Sequence, residues 1–360
     1  VARTIMIMAG GTGGHVFPGL AVADHMTTLD WNIVWLGTHN GMEAALVPRH
    51  GYHIELIEFS GLRGKKVMNR LWLPWRLLMA FWQSARIIIR TQPDVVLGMG
   101  GYPAFPGGIM ASLLNKPLLI HEQNAIPGLT NRILAKIADK ILLGFPASIK
   151  GKSEKVQVTG NPVRDDILRL PVPEQRFAGR SGKLKLLVIG GSLGARILNT
   201  IIPKTLKLIP ENERPWITHQ AGKNNLDELQ RNYAECGVEG NLVSFIEDMA
   251  ASYAECDLVI CRAGALTISE LAVVGVASIL IPYPFAVDDH QTANAQFLSK
   301  HNAALLLPQD KLNPEVLADL IRKFTRERLL EMATLARSLA KPDATRMVAE
   351  ACLGIGASAR

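Results

Sequence analysis

An apolar run, Thr4-Ile5-Met6-Ile7-Met8-Ala9, passes directly into Gly10-Gly11-Thr12-Gly13-Gly14-His15. The same order returns in the second half as Leu184-Lys185-Leu186-Leu187-Val188-Ile189 followed by Gly190-Gly191-Ser192-Leu193-Gly194-Ala195. Each run reads as a buried strand. Each glycine cluster reads as a loop that lets a ligand approach the backbone. A helix follows each loop. The first is expected to begin near Pro18, since proline suits a first turn, and the second at Arg196. Further strand-like runs at 34–36, 94–97, 118–120 and 140–143 continue the alternation. Strands alternating with helices predict α/β domains, each a parallel sheet covered on both faces. At 360 residues the chain has room for two. We place an N-terminal Rossmann-like domain at 1–164 and a C-terminal one at 165–340. A helical segment at 341–360 is expected to pack back on the first domain. The Pro-, Gly- and charge-rich stretch 170–183 suits a linker or an inter-domain crossing.

A third strand–small-residue–helix stretch lies at 261–271. Leu258-Val259-Ile260 enters it, Ala263-Gly264-Ala265 allows a tight turn, and Thr267 and Ser269 are placed to cap the following helix. A helix N-terminus with free N–H groups is an anion site. Glu270, expected in the first turn, is suited to hold hydroxyl groups. Phosphate plus vicinal hydroxyls describes a nucleotide. An ordinary αβ unit with a tight loop gives the same local pattern.

Several classes fall away. Neither glycine loop is a G-x-G-x-x-G fingerprint, and no acidic residue follows the second strand of either half, so NAD is not expected. Gly151-Lys152-Ser153 mimics the end of a P-loop, but the required earlier glycine is Pro146. There is no D-x-D, no H-E-x-x-H and no C-x-x-C. Asp288-Asp289-His290 reads as a polar loop, so neither metal nor cofactor is expected. The four cysteines read as reduced thiols. The N-terminus is too short and strand-like for a signal peptide. The apolar run 271–287 is broken by Gly275, Pro282 and Pro284, and reads as helix, turn and strand rather than a membrane span.

Charge is uneven. Residues 1–164 carry +8, while residues 165–360 carry −1. Residues 59–93 contain no Asp or Glu but seven Lys and Arg, interleaved with Trp72, Trp75, Phe81 and Trp82. Tryptophan beside arginine suits a bilayer interface. Arg70, Trp72, Trp75, Phe81 and Trp82 are therefore expected to hold the N-terminal half on an anionic membrane surface. A core helix with a solvated basic face is the alternative. Nucleic acid is not expected, for want of any reader motif.

Six short motifs occur in one order: Gly10-Gly11-Thr12-Gly13-Gly14-His15, Gly98-Met99-Gly100-Gly101-Tyr102, His121-Glu122-Gln123-Asn124, Gly160-Asn161-Pro162-Val163-Arg164, Gly190-Gly191-Ser192 and Arg262-Ala263-Gly264-Ala265-Leu266-Thr267. Over essentially the whole chain they resemble the bacterial lipid I N-acetylglucosaminyltransferases of peptidoglycan synthesis. The resemblance implies a GT-B fold, two Rossmann-like domains facing a central cleft. It implies inverting, metal-independent transfer from UDP-N-acetylglucosamine (UDP-GlcNAc) to the 4-hydroxyl of the N-acetylmuramyl pentapeptide of lipid I, giving lipid II. It places the enzyme peripherally at the cytoplasmic face of the inner membrane, with other cell-wall and division proteins as further partners.

The resemblance also assigns roles. On the donor, Ser192 and the Ala265-Leu266-Thr267 backbone would meet the diphosphate, flanked by Ile268 and Ser269. Glu270 would take the ribose, Ile246 the uracil through its main chain with Arg164 nearby, and Gln291, with Asn294 nearby, the sugar. Thr12, Gly13, Gly14 and Asn124 would close over the sugar and the acceptor diphosphate. Gly100, Gly101, Tyr102 and His121 fall on the acceptor side. The chain departs from familiar members at Leu193, at Ala263 and in the approach 283–290 to Gln291. His15 and Glu122 are the candidate catalytic groups. An imidazole is the side chain best suited to take a proton at neutral pH, which makes His15 a candidate base; the alternative is that it orders the first glycine loop. His121 and Glu122 are open to base, orienting or acceptor roles. A sugar–nucleotide epimerase of similar architecture would hold the same donor and act without a lipid acceptor.

Overall fold

The computed structural model describes residues 2–59, 72–146, 153–191 and 194–358. The chain forms two compact units, one of residues 1–164 with 342–360 and one of residues 165–341.

In unit 1 the elements run β1 (Thr4–Ala9), α1 (Gly13–Thr27), β2 (Asn32–Thr38), α2 (Glu43–Arg49), β3 (His53–Ile57), α3 (Leu73–Thr91), β4 (Val95–Gly100), α4 (Ala104–Leu113), β5 (Leu118–Glu122), α5 (Leu129–Leu134), β6 (Lys140–Leu143) and β7 (Val156–Val158). The seven strands are parallel, in the order β3-β2-β1-β4-β5-β6-β7. Alternate β1 side chains serve opposite faces, because a strand's side-chain period is two. Ile5, Ile7 and Ala9 join one core with Val16 and Leu20 of α1, whereas Met6 and Met8 join another with Ile88 of α3 and Ala111 of α4. Burial on both faces explains why β1 is apolar from Ile5 to Ala9.

Unit 2 repeats the plan. It contains α6 (Asp165–Leu168), α7 (Pro173–Phe177), β8 (Lys185–Ile189), α8 (Arg196–Leu208), β9 (Trp216–Gln220), α9 (Leu226–Cys236), β10 (Asn241–Val243), α10 (Met249–Glu255), β11 (Leu258–Cys261), α11 (Ala265–Val274), β12 (Ala277–Leu280), α12 (His290–Ser299), β13 (Ala304–Leu306), α13 (Pro314–Lys323) and α14 (Arg326–Ser338). Its six parallel strands run β10-β9-β8-β11-β12-β13. The last helix, α15 (Ala344–Ser358), belongs to unit 1, where Val348, Ala349 and Cys352 are buried in the core shared with α1.

Three local expectations are corrected. The first helix starts at Gly13, directly from an extended Thr12, so Pro18 lies inside it. α11 starts at Ala265 with Gly264 as its N-cap, so Thr267 and Ser269 sit within the helix and Glu270 falls in its second turn. The stretch 170–183 is no free linker. Arg176 donates to the Pro171, Tyr253, Val274 and Gly275 carbonyls, capping the C-terminal ends of α10 and α11. Arg180 pairs with the buried Asp257 at 2.6 Å.

Candidate active site

Both sheets reverse their winding between the first and fourth strands, and ligands of open α/β sheets bind beyond the strand ends at such a switch point. In unit 1 this point is flanked by Gly10–Gly14 after β1 and by Gly100-Gly101-Tyr102 after β4. In unit 2 it is flanked by the loop after β8 and by Arg262-Ala263-Gly264 after β11.

The two unit 1 loops touch. A methyl group at Gly101, where φ is +81°, would lie 2.1 Å from the Gly10 carbonyl oxygen. One at Gly100 would lie 2.9 Å from the His15 ring. The glycine loop is also held from below by the fully buried Glu43. Its carboxylate accepts from Gly11 N at 3.0 Å, Thr38 N at 3.0 Å and Thr38 Oγ1 at 2.8 Å. Thr12 offers no side-chain cap to α1, which leaves the N-terminal N–H groups at Gly13 and Gly14 directed out of the helix.

His15 stands in the first turn of α1, with Nδ1 3.0 Å from Gln123 Oε1. Gln123 Nε2 lies 2.8 Å from the Met99 carbonyl and 3.1 Å from His121 Nδ1. His121 Nε2 lies 2.9 Å from the Gly160 carbonyl. Burial pushes the His121 imidazole down to about 4, so it is neutral at physiological pH. Glu122 is buried beside it and its two oxygens accept four hydrogen bonds. Asn124 N and Nδ2 reach one, Gly128 N and Asn131 Nδ2 the other. A carboxylate has about four lone-pair sites, so Glu122 organises the turn after β5 and fixes Asn124. Of the two catalytic candidates, His15 keeps a ring nitrogen, Nε2, without a hydrogen bond among the described residues. Tyr102 is exposed at the loop tip. Arg164 ends the first segment of unit 1, its guanidinium 6.0 Å from the Phe17 ring centre.

In unit 2, α11 has no side-chain cap, since Gly264 has none to offer. The first intrahelical donor is Ile268 N to Gly264 O. The N–H groups of Ala265, Leu266 and Thr267 therefore precede the helical ladder and carry its positive end. Ser269 Oγ turns back to the Ala265 carbonyl at 3.0 Å rather than outward. Glu270 Oε2 accepts from the buried Tyr253 hydroxyl of α10 at 3.1 Å. Burial, with Glu270 beside it, pushes that phenol well above its ordinary range, so it stays a donor. Gln291 Oε1 accepts from Tyr283 N at 2.9 Å and Asn294 Nδ2 donates to the Ala263 carbonyl at 3.2 Å, so both brace the loops around the switch point. Arg262 does likewise, donating to the Ile281 and Pro282 carbonyls and to Gln309. Ile246 is buried after β10. Ser192 lies outside the described residues, as does Arg70.

On α3, Ala80, Ser84, Ile87 and Ile88 are buried, while Trp75, Leu78, Trp82 and Ile89 expose more than half their surface on another face. Trp72, just before the helix, is equally exposed, and Arg86 lies over the Trp82 ring at 5.6 Å. Phe81 instead packs against Phe105, 5.9 Å between ring centres.

Three residues were missed from sequence. Glu43 and Tyr253 lie in no motif, and nothing in their neighbours signals a role. Gln123 sat inside a motif, where a helper between two histidines was in principle visible.

Among the described residues, no group of three or more His, Cys, Asp and Glu side chains is placed to hold a metal ion.

The family model for the glycosyltransferase family 28 N-terminal domain matches residues 5–143, and that for the C-terminal domain matches residues 185–348. A UDP-N-acetylglucosamine–N-acetylmuramyl-(pentapeptide) pyrophosphoryl-undecaprenol N-acetylglucosamine transferase of Nitrosomonas europaea is 67% identical over 347 residues, 96% of this chain and 97% of the relative. The crystal structure of Acinetobacter baumannii MurG is similar at a TM-score of 0.84 and 40% identity, covering 98% of this chain and 99% of that one. A UDP-N-acetylglucosamine 2-epimerase structure matches at a TM-score of 0.67 and 14% identity, over 98% of this chain and 95% of its own, a likeness of fold alone. Two parallel-sheet units, two matched domains and full-length relatives agree: the chain is a GT-B glycosyltransferase and belongs to family 28, among the N-acetylglucosamine transferases of that type.

Proposed function

We propose that this chain transfers N-acetylglucosamine from UDP-GlcNAc to the 4-hydroxyl of the N-acetylmuramyl pentapeptide of lipid I, giving lipid II, with inversion and without a metal. The single observation that carries the reading is the full-length, 67% relationship to a transferase whose name states this chemistry. The geometry of the switch points fits it. In unit 2, the α11 N-terminus supplies N–H donors for the diphosphate, and Glu270, steadied by Tyr253, supplies a carboxylate for ribose hydroxyls. As the bond from C1 to the diphosphate breaks, negative charge grows on the leaving group, where a helix N-terminus stabilises it. In unit 1, His15 Nε2 takes the proton of the attacking hydroxyl.

The acceptor's lipid carrier puts the reaction at a membrane surface. No helix among the described residues is long and apolar enough to cross one. The exposed Trp72, Trp75, Leu78 and Trp82 support peripheral binding through unit 1, at the cytoplasmic face. The test is transfer of labelled N-acetylglucosamine to a lipid I analogue, with and without EDTA. Transfer that survives chelation is expected. Activity abolished by EDTA and restored by Mg²⁺ would overturn the metal-free account. Epimerised sugar from UDP-GlcNAc alone, with no transfer, would overturn the reaction.

A further inference from the structure

We infer that Gln123 is a positioning residue that holds His15 in its Nδ1–H tautomer and so leaves Nε2 as the proton acceptor. The link from tautomer to turnover rests on the proposed function; the tautomer itself does not.

The assignment follows from two fixed ends. The Gly160 carbonyl only accepts, so His121 Nε2, 2.9 Å away, carries its proton. A buried neutral imidazole holds one proton, so His121 Nδ1 is a lone pair. The group 3.1 Å from it must then donate, which places the Gln123 amide nitrogen there. The Met99 carbonyl, 2.8 Å from the same nitrogen, also only accepts and demands the same orientation. Two independent acceptors thus settle which way the amide points. The amide oxygen is left facing His15 Nδ1 at 3.0 Å, and an oxygen there requires N–H. His15 has its second nitrogen left over, free of hydrogen bonds among the described residues.

The backbone makes this relay rigid. Met99 lies on β4, His121 on β5 and Gly160 just beyond β7, so three strands of one sheet hold its far end. Gly100 gives the His15 ring room, since any side chain there would meet it. A neutral His121 is essential, because a protonated one would put a donor against the amide nitrogen and reverse the relay. Its burial keeps it neutral.

The test uses the full chain with ¹⁵N-labelled histidine rings and long-range ¹H–¹⁵N spectra near neutral pH. His15 is expected as the Nδ1–H form and His121 as the Nε2–H form. In Gln123→Met, similar in length and without polar atoms, His15 should relax towards a tautomer mixture. With it, kcat should fall roughly 10-fold or more while donor KM holds. Native His15 in the Nε2–H form would overturn the inference without any variant, as would an unchanged tautomer in a folded Gln123→Met. A shifted tautomer with unchanged kcat would uphold the positioning and remove His15 as the base, so the two readings fail separately.

Discussion

Replacing Gly101 by alanine tests whether the contact between the two unit 1 loops sets the position of His15. Two costs are separable. The first is backbone strain: alanine at φ of +81° costs about 1–2 kcal/mol. The second is collision. A methyl carbon 2.1 Å from the Gly10 carbonyl oxygen cannot stay there, and the loops must part by roughly 1 Å, with an overpacking cost of about 1–3 kcal/mol. Gly10 leads straight into Gly11, Thr12 and α1, so the displacement reaches His15. A misplacement of about 1 Å is expected to lower kcat about 10²-fold. Gly11→Ala is the control. It has φ of +93° and nothing within 4 Å of the added methyl, so it carries strain without collision. Initial rates with a lipid I analogue and urea midpoints should be measured for both. Gly101→Ala should be less stable than Gly11→Ala by about 1–3 kcal/mol and far slower. Equal rates and midpoints for the two would refute the reasoning.

Glu270→Ala should weaken UDP binding by calorimetry by about 1.5–3 kcal/mol, and Tyr253→Phe by about 0.5–1.5 kcal/mol; unchanged binding in both removes this pair from the donor site. Glu43→Gln must turn an amide N–H towards Gly11 N or Thr38, costing about 1.5–3 kcal/mol in urea and lowering kcat; an unshifted midpoint would show that the glycine loop needs no anchor. His121 and His219 are both buried with imidazoles pushed down, to about 4 and about 3. The unfolded chain therefore binds more protons below about pH 6.5, so stability is full above that pH and falls as pH drops towards 4, by about 1.4 kcal/mol per histidine per unit. His219→Gln should flatten the slope, and a midpoint constant from pH 7 to 5 would contradict both burials. Sedimentation with anionic vesicles should weaken with salt and fall when Trp75 and Trp82 are replaced; equal binding to neutral vesicles would remove the electrostatic part.

The strands were legible because both faces of each sheet are buried. Runs such as Ile5–Ala9 must then be apolar at every position, and the intervening glycines mark where backbone approaches backbone. Family and chemistry were legible because the motifs sit at strand ends, several of them beside the switch points. Helix starts were less so. Pro18 looked like a first-turn residue, but a helix leaving a glycine loop needs no side-chain cap and begins earlier. Ser269 looked like a cap, yet its hydroxyl serves the turn behind it. Least visible were the residues that hold the site from behind. Glu43 grips Gly11 across 32 positions and Gln123 reaches His15 across 108, distances over which local pattern carries no information.

The return of α15 to unit 1 bears on how the chain is made. Unit 2 is one continuous segment, so its core is complete once residue 341 has emerged. Unit 1 begins first but lacks Val348, Ala349 and Cys352 until the C-terminal segment arrives. At about 5–20 residues per second, the ribosome takes roughly 10–40 s to travel from the end of β7's loop to α15. Throughout that interval α1 stands without α15 packed against it. The half that would carry the base and the membrane face thus starts before unit 2 but is completed after it.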